Sequence, residues 1–376
     1  MTPLTHTATH ILNHLCLQLP SRRVGSPGNR AAADFIAAQF AAASFEVECP
    51  PFDCLDWSQQ GASLRAGGQS FEVLVSPFSL GCQVQAQLVS AATLDELEAV
   101  QAEGRLLLLH GELAREQLMP KNFPFYCPEE HKSIYRMVEG SHPAALVFAT
   151  SRNPELAGAI YPFPLFEDGD FDITSVYMTE TEGARLAACI PCPAALQISA
   201  ERRPATGSNV IARRQGSGPK RVLLTAHLDA KEGTPGALDN AAGVTTLLRS
   251  YCGRLGVEMV AVNGEDYYAA PGEIQYLRAN VTTLKDIVLN INLDGLGYVE
   301  GATAFSFYQC PPELQNLARR AFTAFPGLIK GPAWYQGDHM IFVQNDLPAV
   351  AFTSELMAPL WSEIAHTPRD LPELVD

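Results

Sequence analysis

Three apolar runs in the second half of this 376-residue chain each end in side chains that bind metal ions or move protons. Arg221-Val-Leu-Leu-Thr-Ala226 leads into His227-Leu-Asp229, Val257-Glu-Met-Val-Ala-Val262 into Glu265-Asp266, and Ile287-Val-Leu-Asn-Ile-Asn-Leu293 into Asp294-Gly-Leu-Gly297. Asp239 precedes Asn240-Ala-Ala-Gly243, and His366 lies in Ala365-His-Thr-Pro-Arg-Asp370. Singly, each residue has a plainer explanation: an Asp before Asn-Ala-Ala-Gly is an N-cap, a strand-terminal Asp-Gly is a turn, and Glu-Asp is a solvated loop. Gathered in one place they form a cluster of carboxylates that is costly to bury without compensating charge.

The elements needed to gather them are readable from periodicity. The three runs and a fourth, Leu347-Pro-Ala-Val-Ala-Phe352, are continuous apolar stretches separated by helix-length segments, the pattern of strands covered on both faces. This predicts an α/β fold with a mixed, mostly parallel central sheet and helices on both faces. Ligands of such sheets bind in the crevice outside the carboxyl ends of the strands, where His227, Glu265, Asp266 and Asp294 emerge. A helix starting at Asn240 would pack through Val244, Leu247, Leu248 and Tyr251. Near the N-terminus, helical spacing runs over residues 5–19 (Ile11, Leu12, Leu15, Leu19) and again over about 29–43, after the turn Gly25-Ser-Pro-Gly28. His6, His10 and His14 share one stripe of the first helix, but no carboxylate or Cys joins them, so a solvated face is expected.

From Phe45 the pattern turns extended, and the region to about Ala195 reads as short strands broken by Gly and Pro, with one helical patch near residues 93–102. Arg105-Leu-Leu-Leu-Leu-His110 and Ala144-Ala-Leu-Val-Phe-Ala149 are buried-strand candidates, and His110, His131 and His142 are read as structural. The division expected is a catalytic domain of residues 1–55 and 196–376, with a small β-rich domain, 56–195, inserted. Two units also suit the length.

Composition narrows the function classes. A formal charge of −15 argues against a nucleic-acid surface. No run approaches the ~18 apolar residues of a membrane span, and the N-terminus lacks a basic start followed by an apolar core, so the expected location is the cytoplasm. Nine cysteines cannot all pair, and Cys189-Ile-Pro-Cys192 has no second pair to complete a metal knuckle, so reduced, packed thiols are expected. A homo-oligomer is compatible with the sequence.

The residues resemble the M28 metallopeptidases, aminopeptidases with a co-catalytic zinc pair. The resemblance rests on Ala226-His-Leu-Asp229, Pro235-Gly-Ala-Leu-Asp-Asn-Ala-Ala-Gly243, Asn263-Gly-Glu-Asp266, Asn292-Leu-Asp-Gly295, Gly337-Asp-His339 and His366-Thr-Pro-Arg-Asp370, in the family's order, and extends to Arg23-Val-Gly-Ser-Pro-Gly28. It implies a zinc-exopeptidase-like fold with the inserted region similar to a protease-associated domain. By motif it implies two Zn2+ ions, with Co2+ or Mn2+ as substitutes: His227 and Asp294 on one, Asp266 and His366 on the other, and Asp239 bridging them. Glu265 would be the general base acting on a water between the metals, and Asp229 would fix the His227 imidazole. The implied substrates are peptides with a free N-terminus. Two departures stand out. Asp266 is found where many members have Glu, and Ala365 where some have a tyrosine that steadies the tetrahedral oxygen, so Tyr335 and His339 are the candidates for that contact. A carboxypeptidase, a one-zinc glutaminyl cyclase and a non-catalytic binding protein on the same fold are the alternatives.

Overall fold

The computed structural model describes residues 3–19, 21–152, 160–248, 255–267 and 269–376. The chain divides into two compact units, one of Met1–Cys54 with Ala205–Asp376 and one of Leu55–Pro204. The sequence placed the return to the first unit at 196, but that position lies inside the sixteen-residue strand Pro193–Ser208, which carries the chain through the boundary.

The first unit is built on an eight-stranded sheet in the order Glu46–Glu48, Val210–Arg214, Gly256–Val262, Arg221–His227, Ile287–Leu293, Ala349–Ser354, Thr303–Tyr308, Leu328–Lys330. The strands from Gly256–Val262 to Ala349–Ser354 run parallel, while Val210–Arg214 and Thr303–Tyr308 join them antiparallel on either side. The sheet is thus mixed with a parallel centre. Alternate residues explain the apolar runs: Val222, Leu224, Ala226, Val257, Met259 and Ala261 pack on one face against Ile11 and Leu15 of Pro3–Asn13 and its wider continuation His14–Gln18, and against Ile36, Phe40, Val244 and Leu247 of the helices Pro27–Ala42 and Ala242–Leu247. Ser26 caps Pro27–Ala42, its hydroxyl accepting the Asn29 N–H. Burying an aliphatic side chain stabilises the fold by about 1.5–3 kcal/mol.

The opposite face carries Glu258, fully buried in the middle of its strand. Arg213, Arg221 and the Tyr276 hydroxyl all donate to its carboxylate, which explains how one charge survives among apolar neighbours. On the first helix His10 is exposed, and His14 stacks on Phe35 at 4.0 Å between ring centroids. The side chain of His6, and Tyr251, lie outside the described residues.

The second unit is built on an eight-stranded sheet and carries more helix than the sequence pattern suggested. Its sheet runs Gln69–Phe71, Pro51–Ala66, Pro193–Ser208, Cys82–Ala91, Leu106–Leu109, Ala145–Thr150, Ser175–Thr179, Leu74–Val75, and four adjacent strands, Cys82–Ala91 through Ser175–Thr179, are parallel. Leu106–Leu109 and Ala145–Thr150 are buried at every position, so both faces need cover. Helices Leu94–Ala99 and Glu129–Gly140 supply it on one side, through Leu97, Ile134, Tyr135 and Val138, and Glu180–Ala187 supplies Leu186 on the other. The last two helices were missed because their apolar faces are only a few residues wide. His131 is a satisfied structural histidine whose Nδ1 accepts the Met119 N–H at 3.0 Å. No helix among the described residues is long and apolar enough to cross a membrane.

Candidate metal centre

Strand register brings the candidate residues together. His227 pairs with Val262 on one side, and its neighbouring Thr225 pairs with Asn292 on the other, so three adjacent parallel strands finish at the same level. Each apolar run therefore delivers its polar terminus to one edge of the sheet.

There His227 Nε2 lies 3.0 Å from Asp239 Oδ1 and 3.7 Å from Asp294 Oδ1. His366 Nε2 lies 2.9 Å from Asp239 Oδ2 and 3.0 Å from Asp266 Oδ1. Three three-donor groups result: His227–Asp239–Asp294 and Asp239–Asp266–His366, with one carboxylate oxygen of Asp239 turned to each, and His227–Asp229–Asp266. His227, Asp239 and Asp294 are almost completely buried. His227 Nε2, Asp239 Oδ2, Asp266 Oδ2 and Asp294 Oδ1 are buried and, among the described residues, have no hydrogen bond of good geometry. Buried polar atoms that face one another unsatisfied suit a cation in their midst.

The electrostatics agree with the geometry. Burial would lower the His366 imidazole, but the carboxylates of Asp266 and Asp239 carry it up to about 10. Burial would likewise lower His227, yet Asp239 and Asp294 hold it well above its usual value. Asp239 is the reverse: burial would raise it, and the two imidazoles hold it far below the ordinary carboxylate range. An imidazole that gathers a proton in this way offers the same nitrogen to a metal, which displaces the proton.

Asp239 does not open a regular helix as the sequence suggested. Asp239 and Asn240 have non-helical backbone angles inside a wide turn, joined by a cis peptide bond, and the helix proper begins at Ala242. The Asp370 carboxylate accepts the N–H groups of Leu238 and Asp239 at 2.7 and 3.1 Å, holding this turn open. Asn240 acts as the cap, accepting the Gly243 N–H and donating to the Leu293 carbonyl, the residue before Asp294. Any Cβ at Gly243 would fall inside contact distance of Asn240 Oδ1 and the Leu293 oxygen. Gly243→Ala is accordingly expected to destabilise the protein by about 1–3 kcal/mol and to weaken metal binding; a urea midpoint and zinc content equal to wild type would refute it.

Arg22 is a second long-range support that sequence reading missed. Fully buried, it donates to the carbonyls of Leu15, Leu228, Pro235 and Gly236, tying the end of the His227 strand to the approach to Asp239.

Glu265 stands on the loop after Gly256–Val262, and Asp229 anchors that loop. The Asp229 carboxylate accepts the N–H groups of Gly264, Glu265 and Asp266 at 2.6, 3.2 and 3.0 Å. It lies 3.8 Å from His227 Nδ1, too far for a hydrogen bond, whereas the Asp229 backbone carbonyl is at 3.2 Å. Asp229 therefore orients the imidazole through its backbone and positions Glu265 through its side chain. Burial pushes the Asp229 carboxyl up to about 6 against the pull of these donors. Asn263, just before the loop, is held by a reciprocal amide pair with Asn29 and by Asn209. Glu265 itself is pushed well above the ordinary carboxylate range by desolvation, with Asp266, Asp338 and Asp294 adding to it.

The two substrate-contact candidates fare differently. His339 is fully buried between the rings of Tyr308 and Trp334, and its Nε2 lies 3.0 Å from the Trp334 carbonyl. Burial lowers it to about 4, so it is a neutral packing group, which corrects the expectation of a substrate contact. Tyr335 is 58% exposed and packs on Tyr308 at 6.1 Å between ring centroids. Among the described residues neither hydrogen-bonds to the five-residue cluster.

The parallel strand ends of this α/β sheet thus carry a set of imidazole and carboxylate donors. Residues 209–376 match the model of Peptidase family M28. The sequence is 25% identical, over 288 residues, to the "Probable lipoprotein aminopeptidase LpqL" of Mycobacterium tuberculosis (strain ATCC 25618 / H37Rv); the match covers 73% of this chain and 55% of that protein. The chain thus spans about half the length of that relative. Among solved structures, the aminopeptidase from Aneurinibacillus sp. strain AM-1 has the same fold, with TM-score 0.75, 20% identity, and 99% of this chain and 89% of that one covered. BSAP, a zinc aminopeptidase from Bacillus subtilis, gives TM-score 0.73 at 20% identity, covering 98% of this chain and 89% of that one.

Proposed function

We propose that the protein is a metal-dependent aminopeptidase that removes residues from the free N-terminus of peptides. The observation that carries this reading is the pair of three-donor groups sharing Asp239, with the unligated carboxylate Glu265 on the adjoining loop. The aminopeptidase names of the similar proteins support it. His227 and Asp294 would hold one zinc, Asp266 and His366 the other, and Asp239 both. Bound there, the ions would supply Lewis-acid polarisation of the scissile carbonyl and acidify the attacking water.

The chain's own residues do the rest. Glu265, which belongs to neither group sharing Asp239, takes a proton from the attacking water and passes it to the departing amine. Asp229 holds Glu265 in place through the three loop N–H groups, and His227 is steadied by the Asp229 carbonyl. Asp370 and Asn240 fix the turn that aims one oxygen of Asp239 at each group. The inserted unit is proposed to be protease-associated-like and to govern which peptides reach the site.

The test is hydrolysis of amino-acid p-nitroanilides and their N-acetylated counterparts, before and after chelation and return of zinc. We expect activity on free-amine substrates alone, lost on chelation and restored by zinc. Equal hydrolysis of the blocked substrates would overturn the N-terminal selectivity, and activity indifferent to chelation would overturn the metal dependence. Cyclisation of N-terminal glutamine without peptide hydrolysis would point to the cyclase alternative.

A further inference from the structure

Behind the loop of Glu265 lie two acidic residues that the mechanism does not use. Glu273 is the third residue of the helix Pro271–Asn280, and Asp338 immediately precedes the helix His339–Val343. Both are fully buried, and their carboxyl groups lie within hydrogen-bonding reach of each other. Apart from the nearby Glu273 backbone N–H, no N–H or O–H among the described residues approaches the four oxygens, none of which has a hydrogen-bond partner of good geometry. The charged or titratable groups that face the pair are mostly acidic: Asp229 and Glu265 towards Glu273, and Glu265, Asp294 and His227 towards Asp338. His339, next in sequence to Asp338, is neutral. Among the described residues no lysine or arginine forms an ion pair with either carboxyl. In the metal-free protein two touching carboxylates in a low-dielectric site cannot both be ionised, and a hydrogen bond between them requires a proton on one.

We propose that Glu273 and Asp338 share a single proton, and that this hydrogen bond is a clasp which positions the Glu265 loop. The packing shows how the clasp would act. The helix head Pro271-Gly272-Glu273 rests directly on that loop: a Cβ on Gly264 would collide with the Pro271 ring, and one on Gly272 with Asn263 and Asn209. Asn209 also donates to the Gly272 carbonyl at 2.7 Å while accepting the Asn263 N–H. Any shift of Glu273 is therefore passed to Asn263, Gly264 and Glu265. On the far side Tyr276 meets Phe342 edge-on at 5.8 Å, so the two helices touch at the clasp and one turn beyond it. Loss of the shared proton leaves two like charges in contact and drives these helices apart. The inference rests on the reading of Glu265 as the base only for its catalytic consequence; the shared proton itself does not depend on it.

Burial raises Glu273 to about 7 and Asp338 well above its usual value. A carboxyl raised on folding contributes stability that is fully present below its unfolded pKa, near 4.5, and is lost as pH rises through the folded value. The pair should therefore weaken the fold as pH climbs from 5 to beyond 7.

The experiment compares wild type with Glu273→Gln, whose amide can donate to the Asp338 carboxylate without a shared proton; Asp338→Asn is the mirror-image variant should the first not fold. Infrared spectroscopy of the chelator-treated protein at pH 6 reads the carbonyl stretch of a protonated carboxylic acid. Because Glu265 and Asp229 also have raised carboxyls, the readout is the wild-type-minus-variant difference, which should show a band that titrates away at alkaline pH. In the same interval the folding constant of metal-free wild type should fall up to tenfold more per pH unit than that of the variant, which is the loss of one proton. Where the enzyme is active, the alkaline limb of kcat should move upward in Glu273→Gln. Absence of the difference band, or pH profiles of stability that superimpose, would overturn the clasp. A band present in a protein that hydrolyses no peptide would leave the clasp standing and count against the proposed function alone.

Discussion

Glu265→Gln is expected to lower kcat by about 10²–10⁴-fold, the range of general acid–base catalysis, while the protein keeps its zinc and its fold. The expectation follows from position. Glu265 belongs to none of the three-donor groups, so its loss removes no ligand. Its backbone N–H is fixed by Asp229, which the substitution leaves untouched. Gln matches Glu in size but cannot accept a proton from water at neutral pH. KM should change little, because the lost interaction belongs to proton transfer and not to ground-state binding. Zinc content by mass spectrometry, thermal midpoint and steady-state kinetics together make the check. An equal fall in zinc would mean that Glu265 ligates, and unchanged kcat would mean that another group is the base.

Asp239→Ala should act differently, because it strikes at once both groups that Asp239 belongs to. Each oxygen of Asp239 faces one imidazole, at 3.0 and 2.9 Å, so one substitution leaves two donors on either side. Losing an outer hydrogen-bonding partner of a ligand typically lowers metal affinity 10–100-fold, and losing a shared ligand should exceed about 100-fold. The variant should be purified with less than one zinc and should be inactive at ordinary zinc concentrations. Metal that binds the native state alone stabilises it by an amount that grows with the logarithm of its affinity, so the zinc-dependent rise in thermal midpoint expected of wild type should disappear. By contrast Asp294→Ala and Asp266→Ala should each remove a ligand from only one of the two groups that share Asp239. A full zinc complement in Asp239→Ala would dispose of the shared-ligand account.

How much of this could be read from the sequence follows the physics of each element. The four parallel strands were legible because they are buried on both faces and so must be continuously apolar. The residues after them were legible because a chemical side chain directly after such a run has few other reasons to be there. The wide turn at Asp239 was not legible, since its shape is set by Asp370, 131 residues away, and by Asn240 reaching across to Leu293. Arg22 and the Asn29–Asn263 amide pair were hidden for the same reason, their partners lying more than 200 residues off. Glu273 reads in sequence as an ordinary acidic residue in the first turn of a helix, where the helix dipole favours it. Only the fold shows that it is buried against a second carboxyl. The helices of the inserted unit were masked by narrow apolar faces, which mistook an α/β layer for a run of short strands.

The central claim, two zinc ions held by five residues with Asp239 between them, is tested most directly by crystallography of zinc-loaded protein with anomalous data at the zinc edge. The account predicts two peaks, one among His227, Asp239 and Asp294 and the other among Asp239, Asp266 and His366. A single peak, or zinc bound elsewhere with these residues paired only to one another, would contradict it.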